Sequence, residues 1–122
     1  TKEMVDNYFS EKEIVLTTSY DKIGDVIELQ VHMSNYSAGG IKNCKLVPEY
    51  NSSNLSLIGI DPDVFYSFTD NTFIVGDIES YNEVTFLLKF QMKVAGASPL
   101  EIKMNYEQKG RKSVANSLLE II

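Results

Sequence analysis

The sequence predicts an all-β domain, an antiparallel β-sandwich of about seven to nine strands in two sheets packed face to face. Short segments alternate apolar and polar residues, as in VIELQVHMSN from Val26 to Asn35. Gly, Asn, Asp and Pro recur between these segments at intervals of about ten residues, which is typical of turns joining short strands. Helical periodicity is almost absent.

The first half of the chain supplies five predicted strands. Residues 1–12 (TKEMVDNYFSEK) read as a linker or a short helix, and residues 13–122 as the domain. A β-branched stretch at 13–20 is followed by a turn at Gly24, the alternating strand 26–35 and the strand 41–50. Proline cannot donate to a ladder, so Pro48 predicts that its strand lies at a sheet edge or a bulge. Strands 55–60 and 64–68 flank the turn Asp61-Pro62-Asp63.

The second half supplies four more. Strand 72–75 follows the turn Thr69-Asp70-Asn71, and strand 83–94 is the longest. Its alternation predicts one inward face, formed by Phe86, Leu88, Phe90, Met92 and Val94. Strand 100–106 leads through a turn at Gly110 into the last strand, 113–122.

Composition excludes several classes of function. The chain has 122 residues, one cysteine and a net charge of −6. An acidic surface repels phosphate backbones, so we expect no nucleic-acid partner. A single cysteine allows neither an intrachain disulfide nor a CxxC motif. No apolar run is long enough to insert into a membrane.

Catalytic residues are not predicted. His32, the single histidine, lies between two inward residues and is expected on the solvent side of its strand. A triad needs a base oriented beside its nucleophile, and no nucleophile motif flanks His32. Cys44 is in register with Leu46 and is expected in the core. The domain is therefore predicted not to be an enzyme and to carry no cofactor.

Four aspartates are the candidate calcium ligands, since calcium prefers loop carboxylates. Their spacing matches no EF-hand, and Asp-Pro-Asp is also good turn chemistry, so no metal site is predicted from it. The four candidates are Asp61, Asp63, Asp70 and Asp77.

Three Asn-X-Ser sequons fall in predicted loops and make Asn35, Asn51 and Asn54 glycosylation candidates. Polar turn residues give the same pattern, so both interpretations stay open. Tyr36, Tyr66 and Tyr81 are also expected in loops. If they met on one surface, they would form a platform for carbohydrate.

A protein partner is expected at the sheet edges. Edge strands expose unpaired backbone groups that another chain can pair with. The strand with Pro48 and the final strand 113–122 are the predicted edges. Partner-binding candidates are Leu118, Leu119, Ile121 and Leu87. A neighbouring domain, or a second copy forming a homodimer through an edge strand, would fit such a surface.

Four phrases in one order carry a family resemblance: IGDVIELQVHMSN, IKNCKLVPEY, FIVGDIESYNEVTFLLKFQM and PLEIKMNYEQKGRKSVANSLLEI. Over residues 13–122 the chain resembles the Ig-like, CARDB-type β-sandwich domains of archaeal and bacterial cell-surface and S-layer proteins. The same order is similar to the appendage (ear) domains of clathrin adaptors, which bind short peptides in the cytoplasm. Neither resemblance implies a site residue.

The resemblance implies a non-catalytic structural, adhesion or protein-interaction module of a larger protein, extracellular or in the cell envelope. A cytoplasmic peptide-docking domain of ear type is the alternative. A carbohydrate-binding accessory domain of an enzyme is a further one.

Overall fold

Nine β-strands and no helix make up the described part of the chain, which in this computed structural model is residues 13–63, 65–67 and 71–122. Residues 1–12, the predicted linker or helix, and Asp70 lie outside it. The strands are β1 (Ile14–Ile23), β2 (Val26–Asn35), β3 (Ile41–Tyr50), β4 (Leu55–Asp61), β5 (Phe65–Ser67), β6 (Thr72–Ile78), β7 (Glu83–Met92), β8 (Ser98–Gln108) and β9 (Arg111–Ile121).

The strands form two antiparallel sheets. Sheet A has the order β1-β2-β7-β4, and sheet B has the order β5-β6-β3-β8-β9. The predicted all-β sandwich is confirmed. None of the described residues forms a helix with the length and apolar character needed to cross a bilayer.

Alternation along the central strands builds the core. In β2, Ile27, Leu29, Val31 and Met33 are all fully buried. They pair with β7, where Phe86, Leu88 and Phe90 are inward as predicted. Met92 is half-buried, and the prediction is wrong for Val94, which lies beyond the end of β7 and is exposed. Because side chains of a strand alternate between faces, one apolar residue in two is enough to fill the space between the sheets. The buried β8 residues are Leu100, Ile102 and Met104.

The β8–β9 hairpin is closed by the two-residue loop Lys109-Gly110. Lys109 has φ +52° and Gly110 has φ +76°. Two successive positive φ values define the type I′ turn, whose twist matches that of the flanking strands. Gln108 and Arg111 are the pair that closes the loop. This pair fixes the phase of the β8–β9 ladder, that is, which alternate residues of β9 hydrogen-bond to β8.

The prediction that the Pro48 strand is a sheet edge is wrong, since β3 is the central strand of sheet B. Pro48 pairs with Ile102 of β8, while the β3–β6 pairing extends only to Leu46. The Pro48 carbonyl accepts a hydrogen bond from Asn71 Nδ2 at 2.8 Å on the β6 side. The nitrogen and the carbonyl of one strand residue point to the same side of the strand, so the Pro48 nitrogen also faces β6. The β3–β6 ladder has already ended there, and the missing N–H of Pro48 therefore removes no hydrogen bond from the sheet.

Candidate functional site

Strand β9 is the second predicted edge, and here the prediction is confirmed: among the described residues, β9 pairs with β8 alone in sheet B. Its outward side chains include Val114, 54% exposed, and Leu118, 75% exposed. Alternation turns Leu119 inward to half-burial, and Ile121 is fully buried in the core. Ile121 is therefore unavailable to a partner, contrary to expectation. Leu118 remains a candidate contact.

The hairpin phase decides which β9 backbone groups are free. A two-residue loop closes on a hydrogen-bonded pair, so Arg111 and every second residue after it bond to β8. The intervening residues point their N–H and C=O groups away from β8. The edge-facing residues are Lys112, Val114, Asn116, Leu118 and Glu120. Pro99 of β8 lies opposite Glu120. Because this is a pair without hydrogen bonds between β8 and β9, the missing N–H of Pro99 does not weaken the ladder.

Strand β1 of the other sheet runs alongside this edge. Thr18 Oγ1 lies 2.7 Å from Ser117 Oγ, and the Tyr20 hydroxyl donates to the Glu120 carbonyl at 3.3 Å. The Ile122 N–H donates in turn to the Tyr20 hydroxyl at 3.3 Å. These contacts hold the C-terminal half of the edge against β1. The bond to the Glu120 carbonyl also agrees with the assignment of Glu120 to the residues whose backbone groups point away from β8.

A groove of about 280 Å³ opens where these contacts end, between the first residues of β1 and the first half of β9. Ile14 and Leu16 line one wall, and Val114, Ala115 and Asn116 line the other. The backbone groups of Val114 and Asn116 belong to the edge-facing set. A second groove, of about 290 Å³, adjoins Leu118, Pro99 and Tyr50. The first groove leaves the first half of β9 the most accessible part of the edge, and the second borders Leu118 in its other half.

Charged side chains of β3 and β8 pair with one another on the outer face of sheet B. Lys103 Nζ lies 3.1 Å from Glu49 and 3.7 Å from Glu101. The hydrogen bond to Glu49 raises the pKa of Lys103 above its ordinary value. Asn116 Nδ2 donates to Glu101 at 3.0 Å. Lys112 and Glu120 are exposed at opposite ends of β9.

His32 lies on the outer face of sheet A, as predicted, and it has three partners. Nδ1 is 2.7 Å from Thr85 Oγ1, while Nε2 is 3.1 Å from Ser34 Oγ and 3.2 Å from a Glu83 oxygen. This hydroxyl–imidazole–carboxylate set was not foreseen, since Thr85 and Glu83 come from β7. Leu87, the remaining partner candidate, is a half-buried residue of β7 opposite Gln30.

Asn35 is fully buried at the end of β2 and joins two turns. Its Nδ2 donates to the carbonyls of Gly39 at 3.0 Å, Ile78 at 3.1 Å and Glu79 at 3.3 Å. Its Oδ1 accepts from the Ser37 N–H at 2.9 Å and from the Ser37 hydroxyl at 2.5 Å. The nitrogen that would carry a glycan is thus committed inside the fold, so the structure gives no room for the predicted modification here.

The other two sequons lie in the β3–β4 connection. Asn51 is exposed, and its Oδ1 accepts from the Ser53 N–H at 2.9 Å, which forms a turn. Asn54 is half-buried and its backbone N–H donates to Asn51 at 2.9 Å. Accessibility therefore favours Asn51 as the modification candidate.

The three tyrosines do not form one platform. Tyr36 and Tyr81 are exposed, at 59% and 72%, on the β2–β3 and β6–β7 turns that Asn35 joins. Tyr66 is half-buried in β5, stacks on Phe73 with ring centroids 4.6 Å apart and donates to Asn71. Tyr66 pairs with Phe73, at the other end of β6 from Ile78. The expected carbohydrate platform is therefore not assembled.

The calcium candidates stay apart in the same way. Asp61 is the last residue of β4 of sheet A and Asp63 lies just after it, while Asp77 in β6 of sheet B accepts from the Asn43 N–H at 3.1 Å. Within the described residues, no three His, Cys, Asp or Glu side chains are grouped so as to hold a metal ion.

Cys44 is fully buried in the core, as predicted. Burial, together with the charge of Asp77, raises the pKa of its thiol to about 11. The thiolate that reacts with oxidants and electrophiles is scarce at such a pKa. Cys44 is therefore a core residue rather than a reactive one.

Two features of these surfaces were missed in the sequence. Val114 and Leu118 are four residues apart, so they lie on the same face of a strand. Alternation along 113–122 could therefore have predicted that Val114 is exposed together with Leu118. Tyr81 has φ +61°, a left-handed conformation that bulky residues rarely adopt. No signal in the sequence marks that position.

Comparison with known proteins gives the fold. No protein-family model matches the sequence, and no curated protein is similar to it. The chain is similar to the GAE domain of GGA2p from Saccharomyces cerevisiae, at 14% identity over 90% of each chain with a TM-score of 0.66. The yeast GGA1 GAE domain also matches at 14% identity, with 90% of this chain and 91% of that chain covered and a TM-score of 0.62.

A third solved structure is the Fcho1 Mu homology domain of Danio rerio with a bound Eps15 peptide. It is 12% identical, with a TM-score of 0.58, and 90% of this chain covers 44% of that one. At these identities the similarity shows the fold alone. The chain thus shares the β-sandwich fold of appendage ear domains, the second of the two resemblances seen in its sequence.

Proposed function

We propose that this domain is a non-catalytic protein-interaction module of a larger protein, which binds an extended protein segment along the free edge of β9. One observation carries the proposal. The β9 edge combines edge-facing backbone groups with two exposed apolar side chains, Val114 in its first half and Leu118 in its second. A strand added to a sheet edge gains main-chain hydrogen bonds, and alternate side chains give specificity.

The two grooves support this mode of binding. An added strand would lie about 4.8 Å from β9, beside the groove walls formed by Ile14, Leu16 and Asn116. Its apolar side chains would meet Leu118 above the second groove. The peptide bound to the Fcho1 domain supports the class of partner, an extended segment of protein, and nothing finer.

Two compartments remain alternatives within the proposal. A cell-surface or S-layer module, the first resemblance, would be extracellular or in the cell envelope. An ear-type peptide-docking domain would be cytoplasmic. Fractionation of the source cells with an antibody against the domain decides between them: protein at the envelope supports the first, and protein in the cytosol supports the second.

The non-catalytic part of the proposal is tested at His32, whose hydroxyl and carboxylate partners resemble a catalytic set. Such a set is not sufficient for nucleophilic catalysis, because the reaction also needs hydrogen-bond donors placed to stabilise the oxyanion that forms. We expect hydrolysis of p-nitrophenyl acetate by the wild type to equal that by His32→Gln. A rate that depends on His32 would contradict the proposal.

The edge is tested with peptides selected from a random 12-residue phage library on the immobilised domain. In ¹⁵N spectra we expect the amides of Val114, Asn116 and Leu118 to shift on peptide addition. Leu118→Asp is expected to weaken binding at least about tenfold, since it places a charge in the apolar contact. Ile58→Asp, 53% exposed on the opposite sheet's edge strand β4, is the matched control and keeps full affinity. Binding that survives Leu118→Asp would overturn the proposal.

A further inference from the structure

We propose that the segment that binds β9 is β9 of a second copy, paired antiparallel about a two-fold axis through Asn116. This inference rests on the proposed function, because it takes the β9 edge as the interaction surface. A two-fold interface must be self-complementary: if one residue contacts another across it, the reverse contact exists as well. The sequence of β9 can be tested for this property directly.

Centring the pair on Asn116 matches every edge-facing residue with a complementary one. Lys112 lies opposite Glu120 of the second copy, and Val114 lies opposite Leu118 of the second copy. Asn116 lies opposite itself, where two amides can exchange hydrogen bonds. Each contact except the central one occurs twice. Opposite charges and apolar pairs directly across an antiparallel ladder both stabilise it.

Neighbouring registers lose this complementarity. A shift that brings Lys112 opposite Leu118 leaves the ammonium against an apolar side chain and pairs Val114 with Asn116. A shift the other way brings Val114 opposite Glu120. All of these registers satisfy the same backbone phase, so the side chains select the one centred on Asn116.

The cover from β1 limits the proposed ladder at its two ends. Tyr20 already occupies the Glu120 carbonyl, at 3.3 Å, which is the last position of the proposed ladder. Val114 and Asn116 lie beside the first groove, where the edge is most accessible, and Leu118 borders the second groove. Exposed Lys–Glu pairs contribute little by themselves, so the backbone ladder and the Val–Leu contacts must supply most of the affinity.

A disulfide tests the register. In a hydrogen-bonded antiparallel pair the two Cα atoms are about 5.5 Å apart, within the range that a disulfide spans. We expect Asn116→Cys to form a covalent dimer on mild oxidation. Lys112→Cys is the control, since two copies of residue 112 would be about 27 Å apart in this register. Buried Cys44 does not interfere. Equal cross-linking of both variants would overturn the register.

Charge reversal tests the pairing without cysteine. By sedimentation velocity, Lys112→Glu and Glu120→Lys are each expected to weaken the wild-type dimer by about tenfold, because like charges then face each other. The double variant restores opposite charges and is expected to recover the affinity. Lys89→Glu, exposed on β7 of sheet A, leaves it unchanged. Two single variants that weaken nothing would contradict the inference.

The two proposals fail separately. A wild type that stays monomeric at millimolar concentration, while selected peptides still shift the β9 amides, would end the dimer inference and leave the proposed function standing. A monomer whose β9 amides respond to no peptide would end both.

Discussion

The side-chain amide of Asn35 donates to the main-chain carbonyl of Ile78 at 3.1 Å, across 43 positions of sequence. This bond ties the end of β2 in sheet A to the end of β6 in sheet B. The Ser80 hydroxyl adds a second link by donating to the Ser37 carbonyl at 2.5 Å. This end of the sandwich is therefore closed by hydrogen bonds between the two sheets as well as by apolar packing.

Replacing Asn35 by Ala should lower the free energy of unfolding by about 3 kcal/mol, because it leaves several buried partners unsatisfied at once. Urea denaturation monitored by circular dichroism measures the effect. Asn105→Ala, at an exposed position of β8, is the matched control and should stay within about 0.5 kcal/mol of the wild type. A change at Asn35 no larger than that of the control would contradict the role assigned to it.

Glycosylation should distinguish the sequons by burial. When the domain is secreted from a glycosylating host, we expect the folded fraction to carry a glycan at Asn51 and none at Asn35. A glycan on Asn35 would remove its hydrogen bonds to Gly39 and Ile78. Mass spectrometry of glycopeptides gives the occupancy of each site. Folded protein with full occupancy at Asn35 would show that this end of the sandwich can open.

Tyr81 should be a site where glycine stabilises the fold. A left-handed conformation costs a residue with a side chain about 1 kcal/mol, and glycine adopts it freely. Tyr81→Gly is therefore expected to raise the thermal midpoint by a few degrees. Tyr36→Gly serves as the control, since Tyr36 is similarly exposed without a positive φ, and it should lower the midpoint. A drop for both variants would mean that the Tyr81 side chain makes a contact worth more than the strain.

Stability should fall at alkaline pH through Cys44. Its pKa rises from 9.0 to about 11 on folding, so the folded state holds the thiol proton more tightly than the unfolded state does. The resulting stabilisation is complete below pH 9 and is lost as the pH rises towards 11. It amounts to about 3 kcal/mol.

Urea denaturation at pH 8 and pH 10.5 measures this loss. Tyr50 and Tyr106 have pKa values raised mainly by burial, so they contribute to the alkaline loss in the wild type and in any cysteine variant alike. The difference between the wild type and Cys44→Ala isolates the thiol, and we expect the variant to lose less stability over that interval. Equal losses would rule the thiol out as the cause.

The sequence predicted the strands well because alternation reports burial directly. In β2 and β7 every second residue over the middle of the strand is apolar and buried in the core, namely Ile27, Leu29, Val31 and Met33 in β2 and Phe86, Leu88 and Phe90 in β7. The same rule, applied to β9, would have placed Ile121 inside and Val114 outside. The apolar composition of its last residues suggested a surface instead, and that interpretation was wrong for Ile121.

The surroundings of individual side chains depend on which strands become neighbours in the sheets. Local sequence patterns do not determine this. Pro48 signals a missing N–H but not the side of the strand on which it is missing. Asn35 occurs in a turn-like segment, and only the approach of the β6–β7 turn makes it a buried link. His32 acquires Thr85 and Glu83 from a strand about fifty residues later.

The contacts from Thr18 to Ser117 and from Tyr20 to Glu120 show that β1 and β9 run in the same direction along one side of the sandwich. The chain therefore enters β1 at one end of the domain and leaves β9 at the other, about 35 Å away. Tension applied between these two points would act along the strands and shear their ladders, so that many hydrogen bonds must break together.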